Sequence, residues 1–552
     1  PEEVGSVIQH AEIQDFLASF EERVAPVERA VGEAWWGLAI TGTEQAREEL
    51  VRAGISYNEV FADKDEFGQI KAWYEGRDSL ESTLLRRQVE VLYRAFAGRQ
   101  GDREILGRIE ELEARANAIY GNHKGVVGGV EVGENEVREI LRSSNDEARR
   151  REAWEASKTV GREVEDTVRE LARLRNRLAR EAGYPDHYHR SLDLQEIDAG
   201  EMSRIMSGLQ TATDAPFREL KERLDTELKG RFDTQSVPPW HLSDPFFQEP
   251  PEGDLDVDRY FGDGDLEVLT RKTYDLLGLD VRGVMAKSDL YGRPGKNQHA
   301  FCLPVGREYP YDVRVLANVR PDAFWMGTML HEFGHAVYDR HINPRLPYLL
   351  RTVAHVATTE AIALMMGSLA EEPRWLTQVA GVPENDLHPD LGALAARRRA
   401  DRLVFTRWAL VVFRFERELY ADPDREDLNT LWWDLVEQLQ LVERPPGRDE
   451  PDWAAKIHIA IAPVYYHNYV LGHLIAAQLR HYLETHVTRG PFYESEVAGR
   501  YLLEAVFGPG ARESWQTTVQ RATGEPLNPE YFTRSLTWSG NPVFEPPQGP
   551  TG

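Results

Sequence analysis

His331-Glu332-Phe333-Gly334-His335, at the centre of residues 320–367, decides how the rest of this chain is read. On a helix, positions i and i+4 share a face, so His331 and His335 can offer two imidazoles to one metal ion. Glu332 sits about a quarter turn round, where its carboxylate can reach a water on the metal rather than the metal itself. The local sequence supports a helix. Pro321-Asp322 offers a start, and Phe324, Trp325, Met326, Met329 and Leu330 follow without another proline. This is the H-E-x-x-H arrangement found in zinc hydrolases.

A zinc site of that kind needs a third protein ligand and leaves a fourth position open. Three residues are candidates. His341 completes H-E-x-x-H-x-x-Y-x-x-H, but that spacing works when the helix stops at a glycine, and here Tyr338 stands in its place. Glu360 lies on a second helical stretch, 352–369, reached through a proline turn at 344–347. An antiparallel return would bring its carboxylate to the two histidines. His355 shares that stretch but lies about 140° round from Glu360. Glu360 is the favoured ligand, with His341 and His355 as the alternatives.

The 552-residue chain carries 92 acidic against 65 basic residues, a formal charge of −27. That balance argues against nucleic acid or an anionic membrane surface as a partner. With 41% hydrophobic residues the chain can bury a large core. The sole cysteine, Cys302, leaves no intrachain disulfide to form. The N-terminal stretch reads as acidic and amphipathic rather than as a signal peptide. No apolar run approaches the roughly 20 residues of a membrane helix. A cytoplasmic protein is the expectation.

Apolar residues at three- and four-residue spacing predict helices over 8–100, 105–120, 137–182, 200–228, 266–277, 391–420, 428–441, 452–488 and 495–507. Residues 121–133, with five glycines, predict a loop or small hairpin. Residues 236–254, with five prolines, mark the best internal boundary. The expected organisation is one catalytic domain with halves at about 1–240 and 255–540, and a loose tail over 542–552. The fold class is mostly α, with a small β-hairpin beside the metal helix. That hairpin is expected from strands at 298–303 and 311–319. An exposed strand edge there could pair with an extended peptide, which makes His299 and Ala300 candidate substrate-binding residues.

A second constellation runs from Lys456-Ile457-His458 to Tyr465-Tyr466-His467-Asn468-Tyr469. The chain has only ten lysines, so one beside a histidine and three tyrosines stands out. Histidine and tyrosine are donors suited to an oxyanion, and lysine suits a terminal carboxylate. Tyr466 and Tyr469, three apart, are expected on one helical face.

Taken together, His331-Glu332-Phe333-Gly334-His335, Thr359-Glu360-Ala361-Ile362, Lys456-x-His458 and Tyr466-x-x-Tyr469 resemble the angiotensin-converting-enzyme family of peptidyl dipeptidases. Ala34-Trp35-Trp36 and the stretch 176–184 extend the resemblance to the N-terminal half. It implies a two-lobed helical shell around a deep central channel. It also implies one zinc ion per chain, held by His331, His335 and Glu360, with Glu332 as general base. His458 and Tyr469 would stabilise the tetrahedral intermediate, and Lys456 and Tyr466 would hold the substrate's C-terminal carboxylate. Three positions differ from the family pattern. The spacing from His458 to Tyr466 is one residue longer, which makes Tyr465 an alternative to Tyr466. Asn468 stands where the family has arginine, and Leu364 where it has aspartate. Residues 293–302 are similar to the thimet and oligoendopeptidase family, and 331–338 to carboxypeptidase Taq.

The expected function is zinc-dependent hydrolysis of short unfolded peptides with release of C-terminal dipeptides. Internal cleavage and single-residue removal are the alternatives. A non-catalytic peptide-binding protein is the competing class, against which Glu332 argues, since binding alone needs no base.

Overall fold

Short polar residues punctuate the helices of this chain. In the computed structural model, which describes residues 2–251, 253, 255–262 and 264–537, Thr43, Asp63 and Ser82 each accept a backbone N–H from the first turn of the helix that follows. Such caps satisfy donors that a helix start leaves unpaired. They separate the helices Glu2–Thr41, Glu44–Glu59, Lys64–Glu75 and Thr83–Ala97. These helices share a core that includes Phe20, Phe61, Trp73, Leu92 and Phe96. Burying each such side chain contributes about 1.5–3 kcal/mol.

Helices dominate throughout, as expected. The described chain divides into two compact units, each drawing on segments far apart in the sequence. Among the described residues, the first comprises those within 2–100, 257–382 and 471–531; the second comprises those within 101–256, 383–470 and 532–537. The chain passes from one unit to the other at Asp256, just after residues 236–254. The units nevertheless differ from the halves 1–240 and 255–540, because helices far apart in sequence close each core. In the second unit, Leu171 and Leu178 of Val160–Glu181 pack on Ile105, Ile109 and Leu112 of Arg103–Asn122. Phe415 meets both Trp432 and Trp453 in the same unit, at ring separations of 5.2 and 5.3 Å.

There are two small antiparallel sheets among the described residues. Strand β1 (Gly125–Val127) pairs with β2 (Val130–Val132), joined through Gly128 and Gly129 at φ 58° and 79°. That backbone suits a tight hairpin and is open to glycine at little cost. Strand β3 (Phe301–Pro304) pairs with β4 (Val313–Leu316). Both are shorter than the expected 298–303 and 311–319. Asn318 Nδ2 donates to the carbonyls of Asn297 and Gln298 at 3.0 and 3.1 Å. Those groups are therefore held by a side chain and not by a ladder, and His299 and Ala300 lie outside β3.

The expected continuous helix over 452–488 is also corrected. It breaks into Asp452–Ala455, Ile457–Ile461 and His467–Tyr482. Pro463 lacks an N–H and disfavours helical backbone in the residue before it, and Val464 is left-handed at φ 53°. Tyr466 therefore precedes the helix that carries Tyr469, and the two do not share a helical face. The tail at 542–552 lies outside the described residues. Among the described residues no helix is long and apolar enough to cross a membrane.

Candidate metal centre and carboxylate cluster

The helix Ala323–Arg340 starts at Asp322, whose side chain accepts the Trp325 N–H at 2.8 Å. It runs through Tyr338 without a break, as that residue's identity predicted. His341 is left as its C-cap, with Nδ1 on the Val337 carbonyl oxygen at 2.8 Å. The second helix, Val356–Gly367, is shorter than 352–369 because His355 caps it. The His355 Nδ1 accepts the Ala357 N–H at 3.0 Å. Both alternative ligands are therefore occupied in ending or starting helices.

Glycine sets how closely these helices approach. A Cβ at Gly334 would stand 2.9 Å from Ala363 Cα, and one at Gly472 would stand 2.8 Å from Glu360 Cγ. The result is a compact group in which one ligand atom each from His331, His335 and Glu360 lies within 4.8 Å of the others. His331 Nε2 is 3.8 Å from Glu360 Oε1, and His335 Nε2 is 3.6 Å from Glu360 Oε2. Ligands about 2.0–2.1 Å from a tetrahedral zinc lie roughly 3.3 Å apart, so this donor set fits that ion with little adjustment. Thr359 Oγ1, 2.8 Å from His335 Nδ1, fixes which ring nitrogen faces Glu360.

Burial sets the charge states. It lowers His331 to about 4, and it lowers His335, helped by its neighbour His331, to about 3. Both imidazoles are thus neutral near pH 7, the form that binds metal. Burial raises Glu360 to about 7. Glu332 is raised to about 8 by burial and then by the charge of Glu360, against a backbone N–H donated by Cys302 of β3. A carboxyl so poised suits proton exchange near neutral pH.

The second unit holds the other expected residues. Lys456 Nζ donates to Gln248 Oε1 at 2.6 Å, and Tyr466 Oη donates to the same oxygen at 3.4 Å. Two donors thus converge on one amide oxygen. Burial lowers Lys456 to about 8 and raises the Tyr466 phenol. The rings of His458 and Tyr469 lie 5.2 and 5.5 Å from that of Tyr466. Burial, then the charge of Lys456, lowers His458 to about 4, so the ring is neutral. Its Nδ1 is buried with no hydrogen-bond partner among the described residues. Tyr465 packs on Tyr469 at 5.3 Å, while Tyr466 makes the Gln248 contact. Gln248 itself was missed. Nothing in its sequence setting distinguishes it, and only the fold brings it to Lys456.

The sequence matches the family Peptidase M2, described as angiotensin-converting enzyme, over residues 7–218 and 291–538. It is 27% identical over 255 residues to an angiotensin-converting enzyme of Haematobia irritans exigua. That match covers 41% of this chain and 40% of the relative's length. With the family match extending over most of its length, the chain belongs to the angiotensin-converting enzyme family of peptidases.

Proposed function

We propose that this chain is a zinc-dependent metallopeptidase that removes dipeptides from the free C-terminus of short, unfolded peptides. The observation that carries the reading is the His331, His335 and Glu360 cluster with the buried carboxyl of Glu332 on the same helix. Zinc held there would supply Lewis acidity and ease deprotonation of a water. Glu332 takes that proton as the water attacks the peptide carbonyl and returns it to the departing amine. His335 is kept in register by Thr359. Following the family motif, His458 and Tyr469 donate to the developing oxyanion, a contribution of about 3–4 kcal/mol for a strong donor. Lys456 and Tyr466, the pair that meets on Gln248, receive the substrate's terminal carboxylate. The single cysteine supports a cytoplasmic setting, since no intrachain disulfide is needed.

The test is a decapeptide supplied as free acid and as C-terminal amide, with the product ladder read by mass spectrometry. The free acid should lose successive dipeptides and the amide should be a poor substrate. Internal cuts or single-residue steps would overturn the cleavage position. No hydrolysis by zinc-loaded protein would overturn the peptidase reading itself.

A further inference from the structure

Gln248 and Tyr466 are each presented by an irregular turn, and each turn contains a non-glycine residue in the left-handed region. These are Phe247 at φ 52° and Val464 at φ 53°. Such backbone is uncommon for a large residue and an outlier for a β-branched one. It persists only where the surroundings over-determine it, and here the surroundings are built alike at both places.

At the first turn, Asp244 Oδ1 accepts the N–H of Phe246 at 2.9 Å, and Oδ2 accepts those of Gln248 and Glu249 at 2.9 and 3.1 Å. Gln440 Nε2 donates to the Phe246 and Phe247 carbonyls at 3.1 and 2.7 Å. At the second turn, Glu416 Oε1 accepts the Val464 N–H at 2.8 Å, and Gln195 Nε2 donates to the Val464 carbonyl at 3.3 Å. Gln195 Oε1 also takes Asn468 Nδ2 at 2.8 Å, tying the turn to the helix that follows. Asp244, Gln440 and Glu416 are 4%, 1% and 3% exposed. Both glutamines lie at helix ends, each followed by another left-handed residue, Glu196 or Leu441. The second turn is also the one that carries the longer spacing between His458 and Tyr466.

We propose that Asp244 with Gln440, and Glu416 with Gln195, are two matched positioning clamps. They hold Gln248 and Tyr466 so that Lys456 and Tyr466 both donate to Gln248 Oε1, and so define the site for the substrate's terminal carboxylate. The inference rests on the reading that this cluster binds that carboxylate. None of the four clamp residues touches substrate. Each acts on the backbone of a turn, the buried acidic side chain accepting N–H groups and the glutamine donating to carbonyls, and Asp244 Oδ1 also accepts the Gln248 Nε2 amide at 3.4 Å.

Glu416→Ala should raise KM for a free-acid peptide about tenfold, shrinking its advantage over the matching amide by a similar factor, while kcat moves far less. Glu416→Gln keeps an acceptor oxygen for the Val464 N–H and should restore most of that advantage. Asp244→Asn, nearly isosteric, turns an amide donor toward backbone N–H groups and should lower the same ratio; it decides the matter if Glu416→Ala does not fold. If the wild type itself shows no preference for the free acid, the carboxylate reading fails and this inference falls with it. If the wild type has the preference and folded clamp variants keep it, or lose kcat equally on both peptides, the clamps are only structural and the carboxylate reading stands.

Discussion

The metal cluster and the lysine cluster are built in opposite ways. His331, His335 and Glu360 come from two consecutive helices, and their geometry follows from the repeat of the helix and one close glycine contact. Lys456 and Gln248 are 208 positions apart, and neither Gln248 nor Tyr466 lies within a helix or strand. Their geometry depends on left-handed turns held by buried side chains. Regular structure thus carries the cluster proposed to hold a metal, and irregular structure carries the cluster proposed to recognise a chain end. The first should tolerate changes in loops that the second does not.

The largest effect should separate chemistry from metal binding within the first cluster. Glu332→Gln should keep zinc, measured by atomic absorption, while turnover falls about 10³-fold, within the range for general acid–base groups. An active variant would remove the mechanism. In the second cluster, Lys456→Ala should weaken free-acid substrates by about 2–5 kcal/mol, as expected for one partner of a buried charge pair. The amide should change little, so the acid-to-amide ratio of kcat/KM is the measurement. Equal losses on both would make Lys456 a structural residue.

Zinc retention gives a graded series within the first cluster. Glu360→Ala should lower metal affinity most, Thr359→Val about 10–100-fold, and His341→Ala least, as read by chelator competition. If His341→Ala matched Glu360→Ala, the ligand set would be wrong. Gly334→Ala tests the helix contact directly. Overpacking against Ala363 should cost about 1–3 kcal/mol in stability, seen as a lowered Tm. A Tm unchanged by the added methyl would show that the helices can part freely.

The smallest effect is one of pH. Lys456 is charged below its depressed pKa of about 8 and loses that charge as pH rises through it. The acid-to-amide ratio should therefore fall roughly tenfold between pH 7 and pH 9. Taking the ratio cancels titrations in the metal cluster that act on both substrates. A ratio flat across that range would dissociate the ammonium from recognition.

The helical class, the metal helix, its passage through Tyr338 and the return of Glu360 were legible in the sequence, because periodicity, caps and proline turns act over a few residues. The break at residues 462–466 was partly hidden. Pro463 marked it, but a left-handed valine carries none of the composition of a glycine turn. The strand expected at His299 and Ala300 begins only at Phe301, and Asn318 holds the carbonyls of Asn297 and Gln298 just before them. Gln248 could not be found at all, and the two units could not be drawn as sequence halves. By itself the sequence determined which residues could share a helix face and what metal they suit. Only the tertiary structure decided which loop oxygen meets Lys456, since side chains 208 positions apart are brought together by packing and buried hydrogen bonds, which leave no local pattern.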